Sequence, residues 1–425
     1  MEKVTNRQKH INLPFWITLI IIVVSDDTLF FGTNGDRTFI TIKYIILIAL
    51  TGLMAFKYIS FKVPTSFLTL LTMCGLVLFS AFINDDFRAG NLYKCVILIL
   101  AYEIAYQVDF NDFAYWFEKI MFVLAFASLA GMMAGMFAKP ILSILPEFTN
   151  SAGMVFHNAF LFLSPIQNGI VRNYGIFREP GVYQMFLIMA ILMYLYRYDE
   201  IKNYKLIIYI TAIIFTYSTT GYIALALVLI LYTIKEGVSI QNNKKKFIMI
   251  CLVIAGLIGI SLFTDLLSVD GIIFNKFSQK NRPTTVARMG SIFVNLEIWE
   301  RYPLFGAGLT KVGELFPNLC GKMFGFVSEH NTNTLLCELA TYGIVYTAIF
   351  VVGYARFFKL LANKKFETLL ICGIFFVLSV GEKLTFSPII YVLMFYGMMN
   401  KNNSVESEVN RKRLVLKYGK QDSLN

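Results

Sequence analysis

The sequence predicts an all-α, polytopic integral membrane protein of about twelve helices. Of 425 residues, 57% are hydrophobic and 15% are charged. The mean hydropathy is +0.63, and the apolar residues gather in runs separated by short charged breaks. A soluble domain of this size is not so apolar. At about 20 residues per span, roughly a dozen spans account for the apolar content. Lys+Arg 38 against Asp+Glu 27 gives a net charge of +11. In a bilayer protein this excess reflects charge sorting across the membrane rather than a nucleic-acid surface.

A tail of residues 1–12 precedes five expected helices within 13–138: Leu13–Phe30, Thr38–Phe56, Ser66–Ile83, Leu92–Val108 and Phe117–Ala138. The first lacks a small-residue cleavage pattern and runs into Asp26-Asp27, so it reads as an anchor and not a removable signal. A long connection, 139–181, follows. Residues 182–263 carry Val182–Tyr196, a tight helical pair Leu206–Thr216 and Tyr222–Ile234, and Phe247–Phe263. A second long connection covers 264–333. Residues 334–399 hold Thr334–Phe357, Thr368–Val380 and Ser387–Met399, and a basic tail occupies 400–425. Lys and Arg concentrate in both tails and in alternate connections, whereas the short connections on the opposite side carry Arg37, Arg88 and Lys383. The positive-inside rule therefore makes both termini cytoplasmic and both long connections outer. Cys74, Cys95, Cys251, Cys337 and Cys372 fall in expected helices and Cys320 in an outer loop, with no CxxC pair to suggest a metal site. No internal repeat of the secondary-carrier kind stands out.

Long connections in a compact protein are usually functional, and these two contain enough apolar and aromatic residues to fold back on the bundle as caps. Within the second, Val286–Tyr302 has a helical pattern with Ile292, Leu296 and Trp299 on one stripe, shared by Arg288 and Asn295. The expected product is an interfacial helix. Arg288 is then either snorkelling to lipid phosphate or aimed at a central cavity. The glycines of Pro303-Leu304-Phe305-Gly306-Ala307-Gly308 permit close approach to a ligand.

The first connection ends at Arg172-Asn173-Tyr174-Gly175-Ile176-Phe177-Arg178-Glu179-Pro180-Gly181. Proline suits the first helical turn, so Arg178 and Glu179 stand at a helix N-terminus, where an anion is favoured. Two arginines there suit a phosphate or pyrophosphate. The alternative is a surface ion pair between Arg178 and Glu179. His330, beside Glu329 and just before a helix, is placed either as a general base or as a hydrogen-bonded cap. His157 shares the His-Asn dipeptide but lies in mid-connection and ranks second.

Four motifs in order, RxxGxFxEPG at Arg172–Gly181, STTG at Ser218–Gly221, the Arg288–Gly308 segment ending in PLFGAG, and His330-Asn331, resemble the bacterial O-antigen polymerase and O-antigen ligase superfamily. The likeness covers about Val155 to Phe358; the first five helices resemble that family only in hydropathy. It implies a GT-C-type glycosyltransferase of lipopolysaccharide biosynthesis in the inner membrane, acting at the periplasmic face on a glycan carried by undecaprenyl pyrophosphate. The family implies no nucleotide sugar, metal or other cofactor. By resemblance, Arg172, Arg178 and Arg288 hold the departing pyrophosphate, and His330 orients or deprotonates the acceptor hydroxyl. Glu179 is an alternate base or orients an arginine. Arg282 and Arg301 compete with Arg288, and Asn331 is a further candidate. With many Phe (40) and Tyr (23) and few strict motifs, the chain resembles the polymerases of that superfamily, whose acceptor is another lipid-linked repeat unit, more than its ligases, whose acceptor is lipid A core. The partners to consider are the lipid-linked oligosaccharide, membrane lipids and a chain-length regulator, with no nucleic acid. A different class, a flippase for the same lipid-linked units, predicts short outer loops and charges buried in mid-helix. The charges within expected helices are Lys43, Lys94, Glu103 and Glu338. A scaffold without activity requires no arginines and histidine at outer helix mouths.

Overall fold

The computed structural model describes residues 12–25, 28, 37–57, 65–137, 139–149, 154–166, 172–197, 203–235, 282–325, 327–328, 331–362 and 364–399, without the side chains at 37–40, 56–57, 65, 139, 141, 148 and 282–289. It is mostly helical. Helices α1 (Leu13–Val24), α2 (Arg37–Lys57), α3 (Thr65–Ile83), α4 (Ala89–Gln107), α5 (Phe110–Phe137) and the short α6 (Lys139–Leu142) come first. Strands β1 (Glu147–Thr149), β2 (Val155–Asn158) and β3 (Leu163–Pro165) follow. Then come α7 (Pro180–Arg197), α8 (Asn203–Ile214), α9 (Thr219–Lys235), α10 (Arg282–Arg301), α11 (Gly308–Phe324), α12 (Thr334–Leu361), α13 (Lys365–Gly381) and α14 (Pro388–Met398).

Four stretches, Ser66–Ile83, Ala89–Gln107, Phe110–Phe137 and Thr334–Leu361, are long and apolar enough to cross a membrane. The outer faces of several helices carry large apolar side chains such as Leu53, Leu68, Phe82 and Phe126, each 61% to 71% exposed. A surface of that kind suits lipid, not water. At the centre, α7 is buried continuously from Pro180 to Leu195 and α14 from Pro388 to Tyr396. This is the behaviour of helices that are apolar all round.

The apolar runs of the sequence sit on helices wherever they are described; the expected Phe247–Phe263 lies outside the described residues. Helix α1 ends at Val24 rather than Phe30, because the chain turns there: Ile389 N donates to Ser25 Oγ at 3.1 Å, and Thr28 pairs with Phe177 in an isolated antiparallel bridge. Helix α5 starts at Phe110 rather than Phe117, since Asp109 accepts from Asn111 N through its side chain at 2.8 Å and from Phe113 N through its carbonyl at 3.0 Å. The first long connection departs from the all-α expectation. It folds as a three-stranded antiparallel sheet in the order β1-β2-β3, with Phe156 and Leu163 buried in the main core.

In the second long connection, α10 covers the expected helix, and its buried face shares only Asn295 with the expected stripe among the described side chains. Ser291, Val294, Asn295 and Ile298 are buried, while Ile292, Leu296 and Trp299 are half-buried. Helix α11 was not among the sequence expectations. Its Val312, Phe316, Leu319 and Cys320 pack with Val294, Ile298, Ala307 and Ala340 in a second apolar cluster.

Helix α12 is broken at Gly343, whose φ of 79° and ψ of −176° lie outside the helical region. The break strands backbone groups, and the Pro303–Gly308 segment takes up two of them. Ala307 N donates to Ala340 O and Ile344 N donates to Pro303 O, each at 2.9 Å. Ser80 Oγ donates to Thr341 O at 3.2 Å. Of the glycines expected to permit close approach to a ligand, Gly306 lies against the α12 backbone and Gly308 against the side chains of Asn84 and Asp86. A Cβ on Gly343 would lie 2.2 Å from Leu304 O, and one on Gly306, at φ 71°, would lie 2.2 Å from Thr341 O. Gly343→Ala and Gly306→Ala are each expected to cost at least about 2 kcal/mol, seen as a lower unfolding midpoint in detergent. Gly313→Ala, in an open part of α11 with nothing within 4 Å of the added Cβ, is expected to raise that midpoint slightly.

Candidate functional site

The connections that the sequence assigns to the outer side meet at one end of the bundle. Arg172 leads into α7 and reaches across to the α8–α9 turn, where its Nε donates to Thr216 O at 2.9 Å and its Nη2 to Tyr217 O at 3.2 Å. Those carbonyls end α8, where a cation is favoured. Burial pulls the Arg172 guanidinium below the usual arginine range, against the opposing pull of Tyr174, Tyr222, Glu382 and Glu179. Pro180 occupies the first position of α7 as expected, and Tyr183 N donates to Glu179 O at 3.2 Å in its first turn. The first turn also receives Glu382, since a Cβ on Gly181 would lie 1.7 Å from Glu382 Oε1. A carboxylate of this same chain thus packs where the sequence suggested an anion.

The segment 382–387 joins this region to a second one. Thr334 Oγ1 donates to Glu382 O at 2.6 Å and accepts from Leu384 N at 2.9 Å. Asn333 caps α12 by accepting from Leu336 N at 2.9 Å. Thr332 N donates to Ser291 Oγ at 2.7 Å, and Asn331 and Asn295 exchange side-chain hydrogen bonds at 2.9 and 3.0 Å. These polar bonds explain why α10 turns Ser291 and Asn295 inward.

Beneath them is a cavity of about 80 Å³ whose lining includes Lys94, Leu309, Val312, Phe316, Asn331, Glu338, Tyr342, Lys383 and Phe386. At its floor, Lys94 and Glu338, both fully buried, form an ion pair at 2.6 Å. Lys94 Nζ also donates to Thr385 O at 2.6 Å and to the Tyr391 hydroxyl. That hydroxyl lies 2.7 Å from Glu338 Oε1 and 2.9 Å from Thr385 O. The rings of Tyr391, Phe386, Tyr342 and Tyr346 surround the ammonium at 4.4 to 5.8 Å, adding cation–π attraction in a desolvated place. All three ammonium protons have acceptors. Glu338 Oε2, in contrast, is buried and has no hydrogen-bond partner among the described residues.

The cavity wall depends on a cap supplied from elsewhere in the chain. Asp86, in the α3–α4 turn, accepts from Thr310 N at 2.8 Å and from Thr310 Oγ1 at 2.6 Å, closing the N-terminus of α11. Asn84 Nδ2 donates to Gly306 O at 3.1 Å, and Lys311 Nζ donates to Asn84 Oδ1 at 3.2 Å. Burial pushes the Asp86 carboxyl up, but the Thr310 hydrogen bonds and the nearby Arg88 outweigh it and hold the carboxyl below the usual carboxylate range.

Of the residues singled out in the sequence, Arg172, Arg178 and Glu179 fall together at this end, Arg178 half-buried and Glu179 exposed. His330 and its neighbour Glu329 lie outside the described residues, while Asn331 lines the cavity. Arg282 and Arg288 fall on α10 with their side chains outside the described set. Arg301 pairs with Glu297 at 2.5 Å on an exposed face. His157 sits on β2, opposite Glu147 and Ser164. The Lys94–Glu338 pairing was not foreseen; its signal was two charged residues inside apolar runs. Among the described residues, no group of three or more His, Cys, Asp or Glu gathers to hold a metal ion.

Lys94→Met alone is expected to destabilise the protein by about 3–5 kcal/mol by leaving the buried Glu338 without its partner. Lys94→Met with Glu338→Leu is expected to recover most of that loss in a detergent unfolding assay. The Asp86 cap also gives a pH dependence. Its folded pKa lies under the unfolded value, so its contribution is present above about 3.8 and is lost as pH falls through the folded value. Asp86→Asn is expected to flatten this acid limb of the stability curve. The chain was compared with known protein families, characterised proteins and solved structures, and none of them matches it.

Proposed function

We propose that the protein is a GT-C-type glycosyltransferase with twelve spans in the bacterial inner membrane. It extends a surface polysaccharide at the periplasmic face, moving a growing glycan from undecaprenyl pyrophosphate onto a lipid-linked repeat unit. One observation carries the reading: Arg172 of the first motif clasps the carbonyls of Thr216 and Tyr217, just ahead of the Ser218–Gly221 motif. This contact between two distant segments of the likeness, at the same bundle end as the cavity above Glu338, supports the reading.

In this reading the acceptor hydroxyl oxygen attacks the anomeric carbon and the bond to the pyrophosphate oxygen breaks. Arg172, Arg178 and Arg288 stabilise the charge that develops on the leaving group, where fixed cations act most strongly. His330 takes the hydroxyl proton, with Glu179 as the alternate base. No step requires a nucleotide sugar or a metal.

A second reading is favoured by one observation. Lys94 and Glu338 are ionisable groups buried in apolar helices, the pattern expected of a carrier for the same lipid-linked unit.

Deleting the gene and examining the lipopolysaccharide separates the possibilities. Core bearing a single repeat unit supports the polymerase. Bare core with lipid-linked polymer indicates a ligase, and loss of repeat units from the periplasmic face indicates a flippase. In the complemented strain, Arg178→Ala, Arg288→Ala and His330→Ala are each expected to abolish long chains while the protein still accumulates. Normal ladders from all three would sink the catalytic assignment. Reporter fusions at Glu147 and Lys311 are expected to read as periplasmic and one at Lys244 as cytoplasmic.

A further inference from the structure

We propose that the cavity above Lys94 and Glu338 is a carbohydrate subsite, in which Glu338 Oε2 accepts a hydrogen bond from a hydroxyl of the acceptor sugar. The inference rests on the glycosyltransferase reading and adds to it a binding residue that the family motifs do not include.

The first ground is an unequal carboxylate. Oε1 accepts from Lys94 at 2.6 Å and has the Tyr391 hydroxyl at 2.7 Å. Oε2 is buried without a partner among the described residues. A buried acceptor left unpaired is costly, and Glu338 is among the residues that line the cavity.

The second ground is the shape and chemistry of the lining. Polar groups stand at the floor, and Leu309, Val312, Phe316, Tyr342 and Phe386 form the walls. A few convergent polar groups within apolar and aromatic walls are what a small-molecule site requires, and ring faces suit the C–H faces of a sugar. At about 80 Å³ the space takes one edge of a pyranose ring with its hydroxyls, the rest extending past Lys383 at the exposed mouth.

The third ground is charge. Lys94 already neutralises Glu338 and has spent its three protons, so among the described residues the floor offers no free cation to an anionic ligand, Lys383 lining the cavity nearer its mouth, and little net charge to a metal ion. A neutral donor of hydrogen bonds, which is what a sugar hydroxyl is, matches what remains. Glu338 held in this way binds and orients; it does not take the proton.

The test uses the host strain lacking the gene, complemented with the full-length chain and scored for protein in membranes and for chain-length ladders. Three variants are compared. Glu338→Gln keeps the shape of the side chain. Lys94→Met with Glu338→Leu removes both charges together. Val312→Phe fills the cavity from the α11 wall and leaves the ion pair intact. The doubly neutral variant and Val312→Phe are each expected to accumulate to at least about half the wild-type level and to yield less than about a tenth of the long chains, whereas Glu338→Gln, which leaves the buried Lys94 without its counter-charge, is expected to lower both accumulation and long chains. If the doubly neutral protein accumulates and makes a normal ladder, the subsite is overturned while the glycosyltransferase reading stands. If that variant does not accumulate, Val312→Phe decides: a normal ladder overturns the subsite, and a shortened one supports it. A wild-type gene that restores no ladder to the deletion strain overturns the reading beneath the inference, whatever the variants do.

Discussion

A broken helix governs how the site end of this molecule is built. Once α12 leaves helical geometry at Gly343, the backbone groups around the break lose their usual partners, and in lipid each would cost several kcal/mol, on the order of a full desolvation penalty. Only another backbone coming very close can answer Ala340 O and Ile344 N together. Pro303–Gly308 does so, helped by Gly306, where a side chain would collide with α12, and by Gly343, where one would collide with Leu304. The consequence reaches past the break itself. With that segment pinned, α10 and α11 must lie against α12, and Leu309, Val312 and Phe316 become walls over Glu338, which lies little more than a turn ahead of the break. The cavity follows from a backbone hydrogen-bond requirement.

A second constraint acts on the floor. Removing Lys94 and Glu338 from water is expensive, and mutual attraction repays it only when the remaining protons and lone pairs are also used. Thr385 O and the Tyr391 hydroxyl supply the missing acceptors for Lys94. That ties the segment between α13 and α14 to α4 and α12. The same segment places Glu382 against Gly181 at the start of α7. The arginine-bearing region and the cavity are therefore joined through 382–387.

Helix positions were legible because a bilayer demands long apolar runs, a signal that survives without tertiary knowledge. What failed had physical reasons. The strands of the sheet are three or four residues long, too short for a period of two to show. Helix α11 carries Gly308, Gly313 and Pro317, which read as breakers, although Val312, Phe316 and Leu319 already showed helical spacing. The inward face of α10 is set by Asn295 and Ser291 meeting Asn331 and Thr332, partners that hydropathy cannot rank. Lys94 and Glu338 each stood out as charges in apolar surroundings, but their pairing spans 244 positions and no local rule links them. Arg172 and Arg178 were legible as arginines at a helix mouth, because proline at a first turn is a local signal.

Residue types that bind anions are the same ones that satisfy broken backbone, so one motif can serve both ends. Arg172 makes the point. Its bonds to Thr216 and Tyr217 use Nε and one Nη2 proton, two of the five N–H donors of a guanidinium. The other three are not engaged by that turn. A side chain held this way has already lost its rotamer freedom in folding, so orienting it toward a charged group costs little further entropy. Locking the arginine to carbonyls beyond the end of α8 is thus compatible with the proposed role toward a pyrophosphate: the turn fixes the direction in which the remaining donors point before any ligand arrives.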